Sequence, residues 1–126
     1  MNINITDPEM LKKMEKALQM GGDIHTLEDI GAALECGDMQ SHSEGDTWVI
    51  TQVVDYPKKR VLDIVYVVGS VEGALLTEKS LIEWAKNMGV DRMTAIGREG
   101  WEQLLTDNPG WKKAGTLFVK ELNHGR

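Results

Sequence analysis

The chain has one cysteine, Cys36, among 126 residues, so it cannot form an internal disulfide. That excludes a disulfide-stapled scaffold and fits a reducing compartment. It also lacks a long apolar run: the longest aliphatic and aromatic stretch, 64–68, falls far short of the roughly 20 residues a bilayer helix needs. Residues 1–6 have neither the basic segment nor the apolar stretch of a signal peptide, so a protein that is cytoplasmic where it is made, without membrane contact, is expected. Positive charge is scarce, with 14 Lys and Arg against 20 Asp and Glu and a net charge of -6. Such a field repels phosphate backbones, and nucleic acid is not an expected partner. The densest basic stretch, Lys58-Lys59-Arg60, reads as a solvated turn between two strands.

Histidine is sparse too. His25, His42 and His124 stand far apart, without the ligand spacing of a zinc or iron site, and no metal is expected. Cys36 alone reads as a small buried thiol.

What is present is an ordinary globular composition, 41% hydrophobic and 27% charged, in a length that suits one domain over 1–126. Thr6-Asp7-Pro8-Glu9 is a helix opening, with Leu11, Met14 and Leu18 on one stripe and Gly21-Gly22 as the stop. Thr26 with Asp29 opens a second helix, burying Leu27, Ile30 and Leu34 and ending at Gly37. The period then changes: 39–42 and 47–54 read as a hairpin, and Asp55-Tyr56-Pro57 breaks the run. Residues 61–68 form a nearly continuous apolar strand interrupted by Asp63, the pattern of a central strand covered on both faces.

A glycine-bounded loop, 69–73, leads into a helix with Leu81, Trp84, Ala85 and Met88 inward and Gly89 as its exit. A short strand at 92–96, a short helix at 98–105, a turn at 108–110 and a last strand at 116–122 complete the order. The fold class expected is α/β (α+β): a mixed central sheet, antiparallel in its N-terminal half, with a parallel βαβ crossover in its C-terminal half, flanked by helices.

The stretches Tyr56-Pro57-Lys58-Lys59-Arg60-Val61, Ile82-Glu83-Trp84-Ala85-Lys86-Asn87-Met88-Gly89, Val90-Asp91-Arg92-Met93, Gly97-Arg98-Glu99-Gly100-Trp101 and Gly110-Trp111, with the closing Val119-Lys120-Glu121-Leu122, resemble the acyl-CoA N-acyltransferase (GNAT) superfamily. They are similar in particular to small phage- and prophage-encoded proteins of that fold. The resemblance implies that Val67, Val68 and Gly69 stand where backbone groups pair with the pantetheine arm of acetyl-CoA, with Gly73 and Ala74 at the diphosphate. It also implies a loop of the form Gln/Arg-x-x-Gly-x-Gly/Ala. Here the stretch is Ser70-Val71-Glu72-Gly73-Ala74-Leu75, and only Gly73 matches. Ser70 lacks a long polar side chain, Leu75 brings bulk, and Glu72 sets a negative charge beside an anion.

Many relatives carry a tyrosine as acid on the helix that here holds Trp101, and indole cannot shuttle a proton at neutral pH. Asp63 is the remaining candidate base, since burial of a carboxyl in an apolar strand raises its pKa. Its plainer alternatives are a carboxylate paired with Arg or Lys of a neighbouring strand, or one facing solvent. Trp101 and Trp111 are candidate partner contacts, and Trp48 is a third tryptophan to check for exposure.

The expectation is a phage- or prophage-encoded, non-catalytic protein of virion structure or assembly. It would use no cofactor, and its partners would be other virion or phage proteins or a second copy of itself. It would be made in the host cytoplasm and carried into the virion. The alternative is an N-acetyltransferase that uses acetyl-CoA to modify an amine.

Overall fold

The computed structural model describes residues 8–20, 22–44, 46–96, 105 and 110–122. Backbone contacts divide the chain into two units, Met1–Ala95 and Ile96–Arg126. The first holds every helix and strand assigned a range: α1 (Pro8–Met20), α2 (Leu27–Cys36), β1 (Gln40–Glu44), β2 (Thr47–Asp55), β3 (Arg60–Val68), α3 (Val71–Asn87) and β4 (Arg92–Ala95).

Each helix starts or stops where its sequence changes character. Pro8 opens α1, where its missing N–H costs nothing. Thr26 caps α2 in a reciprocal box: its hydroxyl accepts the Asp29 N–H at 3.1 Å, and Asp29 accepts the Thr26 N–H at 2.8 Å. The Thr26 N–H, and after it the Thr26 hydroxyl, holds the Asp29 carboxyl below its ordinary pKa. Gly37 ends α2 at φ 89°, a left-handed conformation in which a side chain would crowd the backbone. Replacing Thr26 by alanine removes one half of the box. The expected cost is about 1 kcal/mol, read as a lower urea midpoint at unchanged slope.

The sheet runs β1-β2-β3-β4. Its first three strands are antiparallel, and β3 pairs with β4 in parallel, matching Val61 to Arg92 and Ile64 to Ala95 across the α3 crossover. The mixed sheet and the central place of β3 follow from the sequence, because a strand apolar on both faces needs cover on both. One face buries Met14, Ala17 and Leu18 of α1 and Ile30 of α2 against Ile50, Tyr66 and Val68. The other buries Leu81 and Ala85 of α3 against Val49 and Leu62.

Three expectations need correcting. Met88, expected inside, is exposed, because α3 ends there: its N–H closes on the Trp84 and Ala85 carbonyls and the chain leaves through Gly89 at φ 73°. Cys36, expected as a buried thiol, is exposed at the end of α2, with its Sγ on the Ala33 carbonyl. Residues 116–122 make no strand: Leu117, Phe118, Val119 and Leu122 are all exposed, and the alternation has no ladder partner among the described residues. The helix expected at 98–105, the turn at Asn108-Pro109 and Trp101 lie outside the described residues, apart from Leu105.

Candidate functional site

The pairing of β3 with β4 stops at Ile64 and Ala95, yet β3 runs on to Val68. Ala95 is also the last residue of β4, so among the described residues the final four residues of β3 run on past the end of that neighbour. The register against β2 shifts at the same level: Ile50 faces Tyr66 while Thr51 faces Ile64, which leaves Val65 as an extra residue. A bulge bends its strand and shifts the side-chain alternation by one place. Val65 and Tyr66 accordingly pack on the same face, with α1 and α2, while Ile64 and Val67 pack on the α3 face.

The sequence-selected residues fall around this end of β3. Val67 is half-buried on the α3 side, and Val68 is buried on the α1 side. Gly69 has φ 127°, and a Cβ there would come within 2.7 Å of the Thr47 Cα, so both conformation and space require glycine. Gly73 lies in the first turn of α3 rather than in a loop before it, because Ser70 caps the helix: the Ser70 Oγ accepts the Gly73 N–H at 3.0 Å. Ala74 follows it, half-buried, with its N–H on the Ser70 carbonyl. Gly73 itself is buried against Thr47, closely enough that any Cβ would meet the Thr47 side chain.

A carboxylate completes this corner. The Ser70 hydroxyl donates to Asp46 Oδ1 at 3.0 Å, and the Thr47 hydroxyl lies 3.2 Å from the same oxygen. The hydrogen bond from Ser70, then that from Thr47, holds Asp46 below the ordinary carboxylate range. A negative side chain thus sits at the start of α3, where the helix dipole favours one. Glu72, in the same turn, is exposed.

Asp63 is half-buried on β3, opposite Thr94 of β4, whose hydroxyl donates to it at 3.1 Å. Its partner is a hydroxyl, not a cation. Trp48 packs partly buried against the α1 and α2 core, and Trp111 is half-buried.

Two histidines that stand unconnected in the sequence are both engaged. His25 Nδ1 lies 2.7 Å from the Tyr66 hydroxyl, edge-on to its ring, next to the bulge. Burial raises the Tyr66 pKa, so at neutral pH the phenol keeps its proton and can donate. His42 closes a polar chain on the α3 face. Gln40 Nε2 donates to the Gly37 carbonyl at 3.1 Å, which turns its Oε1 to the fully buried Thr51 hydroxyl, 3.2 Å away. With its one proton spent on Gln40, that hydroxyl accepts from His42 Nε2 at 3.2 Å and fixes the Nε2–H tautomer.

Burial also pushes the His42 pKa below its ordinary 6.5. The unfolded chain therefore takes up this proton first, and stability falls as pH drops from about 6.5 through the lower folded value. Above that window His42 contributes no pH dependence. His42→Gln should flatten the acid limb of a urea-midpoint-against-pH profile, and an unchanged limb would remove this assignment.

No family model matches the chain, and no curated protein matches it. Solved structures do, among them TTHA1254 from Thermus thermophilus, at 16% identity and a TM-score of 0.58, and a single-residue variant of the same protein, at 17% and 0.60. Each likeness covers 90% of this chain and 93% of the other. At such identity the likeness is one of fold: a small α/β domain whose mixed four-stranded sheet is flanked by helices.

Proposed function

We propose that this chain is a shortened GNAT-like domain that works through protein contacts rather than catalysis, as a phage- or prophage-encoded component of virion structure or assembly. One observation carries the non-catalytic part. At the start of α3, where the fold would seat a diphosphate on backbone amides, the Gly73 N–H already binds Ser70 Oγ, and Ser70 carries the Asp46 carboxylate. Asp46 and Glu72 set two carboxylates at that corner against one nearby cation, Lys13, and Leu75 adds bulk, so these residues do not suit the diphosphate of coenzyme A. The glycine that matches the cofactor motif has a packing reason of its own in Thr47.

The role in assembly rests on the likeness of the 56–61, 82–89 and 97–101 stretches to small phage and prophage proteins. The partners on this reading are other virion or phage proteins, met in the host cytoplasm and kept in the particle. Exposed Leu117, Phe118 and Val119 add an apolar surface of the kind such partners cover. Calorimetric titration of the full chain with acetyl-CoA should give no saturable heat; low-micromolar binding would overturn the non-catalytic reading. Mass spectrometry of purified particles should find the chain, and its absence from them would remove the virion role.

The run of β3 beyond the last residue of β4 favours a second reading, an acetyl-CoA-dependent N-acetyltransferase. There Val67, Val68, Gly69, Gly73 and Ala74 would line the cofactor, and Asp63 would be the base. It requires measurable acetylation of an amine by the wild-type chain, lost in Asp63→Asn.

A further inference from the structure

We infer that β1 joins two copies of this chain edge to edge about a two-fold axis at His42, extending the sheet from four strands to eight. The inference is independent of whether coenzyme A binds. Among the described residues β1 has a ladder on one side only, to β2. Edge strands usually carry a lysine, a proline or a bulge that deters a second strand. β1 reads Gln-Ser-His-Ser-Glu, pairs with β2 residue for residue, and bears one charge, at its last position.

The sequence of β1 suits its own copy. Antiparallel pairing about His42 sets Gln40 opposite Glu44 of the second copy, and His42 opposite His42. The carboxylates at the two ends each meet a neutral amide, so no like charges are opposed. The His42 pair is neutral, since burial lowers its pKa and Thr51 fixes its tautomer.

The helix above the edge fits the same axis. α3 packs on both β1 and β2, and Trp84 meets the His42 ring edge-on at 4.9 Å. Its axis therefore lies about half a strand spacing inside β1, while the two-fold lies about half a spacing outside. With strands about 4.8 Å apart, the two copies of α3 come to roughly 10 Å, a normal distance for packed helices. On α3, Leu81 and Ala85 turn toward Leu62 of β3 and Trp84 toward β1, so helical spacing puts Leu76 and Ser80 on the β1 flank. Both are exposed in the single chain, Leu76 at 62%. The second copy gives this leucine a cover.

Two measurements test the pairing. Sedimentation velocity of the full wild-type chain should show a monomer–dimer equilibrium in the micromolar range; a monomer at all concentrations overturns the proposal. On a Cys36→Ser background, His42→Cys should cross-link under mild oxidation. Opposed residues of an antiparallel pair have Cα atoms about 4.5–5.5 Å apart, within reach of a disulfide. Ser41→Cys on the same background should not, because its two copies stand out of register by two residues, more than about 8 Å apart. Equal cross-linking by both variants, or by neither in a dimeric protein, rejects this axis.

Discussion

Gly73→Ala should destabilise the protein by about 3 kcal/mol, the upper end of what one added methyl costs in a packed site. Alanine in place of glycine inside an exposed helix normally gains up to about 1 kcal/mol, so the sign is the informative part. Gly73 is buried where α3 crosses the start of β2, and an added Cβ would run into the Oγ1 and Cβ of Thr47. Thr47 cannot yield: it is fully buried, and its hydroxyl reaches both Asp46 and the Ser70 carbonyl. Gly31→Ala is the matched control. Gly31 lies in α2, exposed, with nothing within 4 Å of its would-be Cβ, and that variant should be more stable than wild type. Urea denaturation of the pair separates a packing glycine from a merely flexible one. If both variants gain stability, Gly73 is not held by Thr47, and its match to the cofactor motif would need another reason.

Leu62→Ala should be comparably severe. Leu62 is fully buried on β3 beneath Leu81 and Ala85, and it lies on the stretch still paired with β4. Truncation leaves a cavity in a layer that strands on both sides keep from collapsing, for an expected loss of about 3–4 kcal/mol. For a domain of this length that is a fall in Tm on the order of 10 °C, measurable by calorimetry. A loss below about 1 kcal/mol would mean that α3 does not pack on the sheet as described.

Local chemistry makes much of this fold readable in the sequence. Thr26 and Asp29 cap α2, Gly37 and Gly89 supply left-handed exits, and the apolar run at the third strand implies cover on both faces. What escapes depends on groups distant in the chain. The bulge at Val65 is visible only in register against β2, because an apolar run looks the same with or without one extra residue. Ser70 is a suitable cap, but without a Glu or Gln three residues later the start of α3 looks like more of the loop. The Asp46 to Ser70 contact spans 24 residues, and that of His25 with Tyr66 spans 41, so no local spacing announces either. The 116–122 segment misleads in the other direction. Its alternation is that of a strand, but a strand exists only with a ladder partner, and none is found among the described residues.

The site is legible as a place rather than as a chemistry. The sequence points to the end of β3 and the turn after it, where β3 runs on past the last residue of β4. What surrounds that turn comes from elsewhere: Asp46 and Thr47 from the hairpin reach Ser70 and Gly73, while the Gly73 N–H is taken by Ser70 Oγ.

The central claim is that the Gly73 N–H at the start of α3 is already taken by Ser70 Oγ. Its most direct test is a two-dimensional amide NMR titration of the full chain with coenzyme A, following the Gly73 and Ala74 N–H signals. The account predicts that both stay in place up to millimolar ligand; saturable shifts of those two signals at micromolar concentrations would contradict it.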